Sequence, residues 1–306
     1  MSTKNWTITD IPDLTGKTVI VTGGNSGLGF ESVKAFALKG AKVIMACRSV
    51  IKGEEAKKQI TKFIPAADIN VMELDLTDLA SIHTFVGNFK KKYTRLDVLL
   101  NNAGIMMVPY GLTKDGFENQ VGTNHLGPFA LTGLLMDVLK RTPDSRVVNV
   151  SSMAHTTGKI DFNNLLYEQG KDYSSTKAYS RSKLLNLLFT YELQRYFDRN
   201  NIKSMAIAAH PGFSKTNLVN HLSNKWYFSL LKPLLNKMAQ PASMGALPLL
   251  RASVDPGVKP AEFYGPDGKR QMSGYPVVVE PKPKARDLEN ARKLWEVSEK
   301  LTKVFY

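Results

Sequence analysis

Along the first half of the chain, short runs of apolar, often β-branched residues alternate with longer stretches of helical periodicity. Thr18 to Thr22 (TVIVT), Lys42 to Cys47 (KVIMAC), Ile69 to Leu74, Leu96 to Leu100 and Arg146 to Val150 (RVVNV) each have strand length and composition. Between them, Gly27 to Lys39, Ile51 to Ile64, Asp78 to Lys91 and Asp115 to Leu139 read as helices. Strands that are apolar throughout have no face for water. The alternation therefore predicts an α/β fold: a doubly wound, mostly parallel sheet with helices on both faces.

The second half predicts a helix over Ala178 to Phe197, a strand over Ser204 to Ala208, a helix over Ala242 to Val254, a short strand near Phe263 and a charged helix from Asp287 to Lys303. No repeat, low-complexity tract or long Pro/Gly/Ser linker divides the chain, so residues 1–306 are read as a single domain. Regular structure is least expected over 158–175, 213–240 and 264–284. The second of these is expected to be a substrate lid, and 264–306 a C-terminal extension ending in a helix. Loops at the carboxyl ends of the strands are where a doubly wound sheet recognises ligands.

Composition narrows the setting. The chain is 43% hydrophobic and 22% charged, ordinary for a soluble globular protein. Its single cysteine, Cys47, has no internal partner for a disulfide, which points to a reducing compartment, with the cytoplasm as the expectation. The first residues lack the apolar core of a signal peptide, and no apolar run approaches the roughly 18 residues of a membrane span. The net charge of +14 is scattered over many segments rather than gathered in a stripe. It reads as a solvated surface that partly steers an anionic ligand, with no nucleic acid expected as partner. No metal-ligand spacing such as HExxH or CxxC occurs, so no metal is expected.

The first candidate site follows the first strand, in Thr22-Gly23-Gly24-Asn25-Ser26-Gly27-Leu28-Gly29. Gly23 suits the tight turn, Gly27 the close approach of backbone to a pyrophosphate, and Gly29 the packing of helix on strand. The free N–H groups of the helix start, around Asn25, Ser26 and Leu28, face the phosphates. Nineteen residues after Gly29, where an NAD site carries an acidic residue, stands Arg48. A guanidinium pairs with a 2′-phosphate that a carboxylate would repel, so Arg48, helped by Ser49 and Lys52, argues for NADP(H).

Asp75-Leu76 after the third strand and Asn101-Asn102-Ala103-Gly104 after the fourth extend this wall. The order TGxxxGxG, then D-L, then NNAG resembles the short-chain dehydrogenase/reductase family, whose fold is of the Rossmann type. The resemblance implies that Asp75 and Leu76 lie at the adenine, and that Asn102, Ala103 and Gly104, with Asn101, support the sheet beside the nucleotide. It further implies a Tyr-x-x-x-Lys catalytic pair. Four matches occur, beginning at Tyr110, Tyr167, Tyr173 and Tyr179. Gly111 and Gly170 mark the first two as loops, and Tyr173 precedes a Ser174-Ser175-Thr176 helix start. Only Tyr179 and Lys183 run into a helical apolar stretch (Leu184, Leu185, Leu187, Leu188) that fixes both on one face. The ammonium of Lys183 and the positive charge of the nicotinamide are together expected to draw the Tyr179 phenol down from its usual value near 10.

By the same resemblance, Ser152 holds the substrate oxygen while Ser151 bonds locally, and Asn124 in the preceding helix anchors a water relay. Pro211 and Gly212 form a turn beside the nicotinamide, and Thr216 supplies a hydroxyl. His155, near a serine, suggests hydrolysis, but no G-x-S-x-G elbow is present.

Met45-Ala46-Cys47-Arg48, Asn124-His125-Leu126-Gly127-Pro128-Phe129 and Ser151-Ser152-Met153-Ala154-His155 resemble the retinol dehydrogenase-like branch, including the WW-domain oxidoreductase group. That branch implies a lipophilic aldehyde, ketone or alcohol as substrate, and Met106, Met107, Val108, Phe213 and Leu218 are candidates to meet it. The chain also looks somewhat like light-dependent protochlorophyllide reductase, although Phe213 stands where that enzyme has a cysteine. A non-catalytic NADP-sensing protein is a third reading. Trp226 to Met238 mixes apolar and basic residues and fits a lid, a homo-oligomer face or a peripheral membrane patch.

Overall fold

The computed structural model describes residues 5–214 and 239–306. The expected lid, with Thr216, Leu218 and Trp226 to Met238, falls almost wholly outside the described residues. The strands are β1 (Thr18–Thr22), β2 (Lys42–Cys47), β3 (Ile69–Glu73), β4 (Val98–Asn101), β5 (Ser145–Val150), β6 (Ser204–Ala209), β7 (Phe263–Pro266) and β8 (Pro276–Val278). They form one sheet in the order β3-β2-β1-β4-β5-β6-β7-β8. All neighbours are parallel except β8, which runs antiparallel to β7. Strand order reverses between β1 and β4, which opens a crevice at their carboxyl ends.

The helices are α1 (Gly27–Leu38), α2 (Val50–Phe63), α3 (Leu79–Lys92), α4 (Gly127–Leu134), α5 (Met136–Arg141), α6 (Ser175–Arg199), α7 (Ala242–Val254) and α8 (Leu288–Thr302). Successive strand residues point to opposite faces, and both faces are covered. Val19, Val21, Val43 and Met45 pack with Phe36 of α1, Ile60 of α2 and Leu250 of α7. Ile20, Ile44, Leu99 and Val147 pack on the other side with Phe85 of α3, Phe129 of α4 and Phe189 of α6. That double burial is why β1 reads as five buried residues in a row.

Two expectations need correction. The helix expected over 115–139 is broken: Glu118 caps a short turn at Asn119–Val121, a π-helical turn spans Gly122–Leu126, α4 follows, and Leu135 (φ −93°, ψ 0°) separates it from α5. Pro128 has no N–H to give the Asn124 carbonyl, so a regular α ladder cannot pass this point. Gly127 also lies so close to Leu76 that a Cβ there would sit 2.6 Å from its carbonyl oxygen. Within 264–284, expected to be irregular, β8 forms as an edge strand, where a proline such as Pro276 is tolerated.

The C-terminal extension is clasped to the body. Trp295 and Tyr306 lie against Phe129, with ring centres 5.4 and 4.9 Å away, and the Tyr306 hydroxyl donates to the Phe129 carbonyl at 2.7 Å. Among the described residues, no helix is long and apolar enough to cross a membrane.

Candidate active site

The carboxyl ends of six neighbouring strands, β3, β2, β1, β4, β5 and β6, line one cleft of about 740 Å³. Five inter-strand steps of about 4.8 Å give it a reach of roughly 24 Å, which suits an elongated ligand. Arg48 and Lys52 lie at the β2 end, and Ser152, Tyr179 and Lys183 also line the cleft.

The turn after β1 is shaped for close approach. Gly23 (φ +66°) and Gly27 (φ +54°) have left-handed backbones that favour glycine. Gly29 packs directly under the Gly23 carbonyl, leaving no room for a Cβ. It is therefore a packing residue behind the cleft, whereas Gly23, Asn25, Ser26, Gly27 and Leu28 line it. Ser26 occupies the N-cap of α1, yet its side chain makes no capping bond, and the first turn has no acidic residue. A helix start with uncommitted N–H groups and no nearby carboxylate is a seat for phosphate.

The β4 end is tied to this turn. Thr22 Oγ1 accepts from the N–H groups of Asn102 and Ala103 at 3.0 and 2.9 Å, and Asn102 Nδ2 donates to the Thr22 carbonyl at 2.8 Å. Behind it, Asn101 Nδ2 donates to Asn149 Oδ1 at 2.9 Å, and Asn149 Nδ2 donates to Thr190 Oγ1 at 3.0 Å, linking β4, β5 and α6 in the buried core. Asp75 and Leu76 line the cleft, with Asp75 Oδ1 accepting from the Thr77 N–H and hydroxyl.

Arg48 is exposed and makes no ion pair among the described residues, so its charge is available to the cleft. Ser49 does not join it there. The Ser49 hydroxyl accepts from the Lys52 N–H at 3.4 Å and caps α2 instead.

At the β5 end, Tyr179 and Lys183 project from α6, both buried. Lys183 Nζ donates to the Val150 carbonyl at 3.1 Å. Burial pulls the Lys183 ammonium down to about 8 and pushes the Tyr179 phenol up to about 12. In the protein's own field the phenol thus stands above its usual value, against the expected direction, because burial is the larger effect. Among the protein's own groups it is the Ser152 hydroxyl that pulls the phenol back down, and burial outweighs it. Ser151, by contrast, is buried and donates to the Lys183 carbonyl at 2.8 Å, which fixes α6 against the end of β5.

Asn124 does not open onto the cleft. Its Nδ2 donates to the Ile105 carbonyl and to Ser182 Oγ, each at 2.9 Å, and its Oδ1 accepts from the Ile105 N–H at 2.8 Å. Its side chain is spent on holding the segment after Gly104. Ile105, Met106, Val108 and Phe213 line the cleft with Pro211 and Gly212, whereas Met107 does not.

The other competing tyrosines have structural partners. Tyr167 lies over the Arg181 guanidinium, 4.0 Å from its ring centre, and Tyr173 donates to the Val108 carbonyl. His155 is buried and neutral in character: its Nδ1 donates to the Ser152 carbonyl at 2.7 Å, and its Nε2 accepts from the Lys282 N–H at 3.3 Å. It braces the serine loop against the C-terminal extension.

A family profile described as short chain dehydrogenase matches residues 17–226. The chain belongs to the short-chain dehydrogenase family. This short-chain dehydrogenase is 41% identical to human (Homo sapiens) retinol dehydrogenase 12 over 286 residues, covering 93% of this chain and 86% of the relative. It is 40% identical to human retinol dehydrogenase 14, covering 93% and 85%. A solved, uncharacterized protein from Mycobacterium paratuberculosis is 42% identical, covers 98% of both chains and superposes with a TM-score of 0.81. The chain is thus an oxidoreductase of retinol dehydrogenase-like type, and a nicotinamide cofactor fits the cleft: the uncapped start of α1 and the turn too tight for a Cβ suit a dinucleotide.

Sequence reasoning did not single out His210 or Gln120. His210 is fully buried; its Nδ1 accepts from the Gly212 N–H at 3.2 Å, and its Nε2 donates to Gln271 Oε1 at 2.9 Å. Its position directly before Pro211-Gly212 was the available signal. Gln120 sits in a stretch read as plain helix, where nothing distinguished it.

Proposed function

We propose that the protein interconverts a lipophilic carbonyl and its alcohol using NADP(H), with Tyr179 as general acid and base. The observation that carries this reading is that Ser152, Tyr179 and Lys183 share one cleft with Arg48 and the glycine turn. When bound, the nicotinamide dinucleotide supplies or accepts the hydride. The chain's own residues handle the oxygen and its proton. Tyr179, pushed up to about 12, is protonated at neutral pH and can donate to the carbonyl oxygen as that oxygen becomes an alkoxide. Ser152 is within reach of the phenol and orients the same oxygen. Lys183, cationic below about pH 8, faces the tyrosinate left behind and lowers the cost of its charge.

Arg48 and Lys52 support NADP(H), since both are cations at the end of β2 and, among the described residues, no carboxylate pairs with Arg48. Met106, Val108 and Phe213 support an apolar substrate, in keeping with the retinol dehydrogenase names of the relatives. The test is NADPH oxidation against retinal, medium-chain aldehydes and aromatic ketones. Tyr179→Phe is expected to lower kcat by about 10²–10⁴-fold with NADPH affinity retained. An undiminished Tyr179→Phe enzyme would overturn the assignment.

A further inference from the structure

The cleft wall that continues from Gly104 belongs to no regular element. Gly104 lies beside the catalytic amine, where a Cβ would be 3.5 Å from Lys183 Nζ, and Ile105, Met106 and Val108 carry the wall onward. Met107, between the two wall residues, has φ +53°, a conformation that a residue with a side chain holds only when its surroundings impose it. Asn124 fixes the near end through both backbone groups of Ile105.

The far end is held by a separate clasp. The Met107 N–H donates to Gln120 Oε1 at 2.7 Å, and the Val108 carbonyl accepts from the Tyr173 hydroxyl at 2.7 Å. Gln120 Nε2 donates to the same Tyr173 oxygen at 3.0 Å and to the Ser175 carbonyl, in the first turn of α6, at 2.9 Å. The Tyr173 ring stands edge-on to Tyr110 and Tyr167, with centres 5.3 Å from each. Burial, reinforced by Glu118, pushes the Tyr173 phenol up to about 12, so it stays a donor wherever the enzyme works. Every polar group of this clasp is committed to the wall or to the start of the helix that bears Tyr179.

We propose that Tyr173 and Gln120 are positioning residues for substrate size: they hold Met106 and Val108 as the apolar wall against which the hydrocarbon part of the substrate lies. The proposal rests on the lipophilic-carbonyl reading above. It separates two jobs along one segment, with the proton handled at Tyr179 and the fit of the hydrocarbon set six residues earlier at Tyr173.

The test compares butanal, hexanal and decanal in wild type, Tyr173→Phe and Gln120→Ala, each first checked for folding by melting temperature and NADPH affinity. Loss of one such hydrogen bond is expected to raise KM for decanal by about 3–10-fold, with kcat within about twofold and butanal little changed. The double variant is expected to add little to the larger single effect, because both residues act through the same wall. Equal changes for all three aldehydes, or a loss in kcat alone, would overturn the proposal. Calorimetry of the same aldehydes onto the NADP+ complex gives the length comparison without turnover. A wild type that neither reduces nor binds decanal sinks the lipophilic reading and this proposal with it, whereas an active wild type with indifferent variants sinks only the latter.

Discussion

Lys183 Nζ sits 5.6 Å from the centre of the Tyr179 ring and donates its hydrogen bond to the Val150 carbonyl, so the two groups are neighbours without a direct bond between them. Each is moved by burial, in opposite directions, to about 8 and about 12. For carbonyl reduction, Tyr179 needs its proton and Lys183 its charge, and both conditions hold below about pH 8. For alcohol oxidation the phenol must first ionise, and the protein's own field leaves a fraction on the order of 10⁻⁵ ionised at pH 7.

The pH profiles of the two directions should therefore diverge. Reduction is expected to be flat through neutral pH and to fall as pH rises through about 8, where Lys183 loses its proton. Oxidation is expected to climb with pH over the same range. Steady-state kcat measured in both directions from pH 6 to 10 checks this. Lys183→Arg, whose guanidinium keeps its charge, should remove the fall near 8 whatever it does to the absolute rate. A fall that persists in that variant would assign the titration to another group.

Cofactor choice turns on Arg48. A charge-assisted contact to a 2′-phosphate is worth about 1.5–3 kcal/mol, or roughly 10–150-fold in affinity. Arg48→Ala is accordingly expected to raise the Kd for NADPH by that factor and leave the Kd for NADH within about threefold. Protein fluorescence titrations of both cofactors measure it. A wild type that prefers NADH would show that Arg48 serves only the surface.

How much of this was legible in the sequence follows from where each signal lives. β1, the glycine turn and α1 could be read because apolar strand, turn chemistry and helix start are local and mutually consistent. Tyr179 could be told from Tyr173 because only its neighbours run on as an apolar helix, and α6 does begin after Tyr173, at Ser175. The break at Asn124 was not legible as such: it depends on Pro128 and on the contact of Gly127 with Leu76, some fifty residues away in sequence. The Tyr179 titration was also out of reach, since burial is a tertiary property and here it outweighs the Ser152 hydrogen bond. His155 and His210 lay in plain view as residues, but their partners Lys282 and Gln271 come from the C-terminal extension.

Those histidines make the fold sensitive to acid. Burial lowers His125 to about 3 and His210 to about 4, and it lowers His155 as well, against 6.5 for the free side chain. Each clasps the extension: His125 bonds Ser298, His155 bonds Lys282 and His210 bonds Gln271. Folded values below the unfolded value mean that the unfolded chain takes up protons first. Their contribution to stability is therefore complete above about pH 6.5 and lost as pH falls from there toward the folded values near 4 and 3. His125 and His210 each cost about 1.4 kcal/mol per pH unit within that window and His155 adds in the same direction, so together they remove a large share of a typical stability of about 5–15 kcal/mol within a few units. Urea unfolding at intervals between pH 7.5 and 4.5 should show a steep decline beginning near 6.5. In His210→Gln, whose amide can still accept from the Gly212 N–H but does not titrate, the slope should be shallower by about 1.4 kcal/mol per pH unit. A slope unchanged in that variant would mean that His210 titrates alike in both states, and that the turn at Gly212 does not depend on its neutral ring.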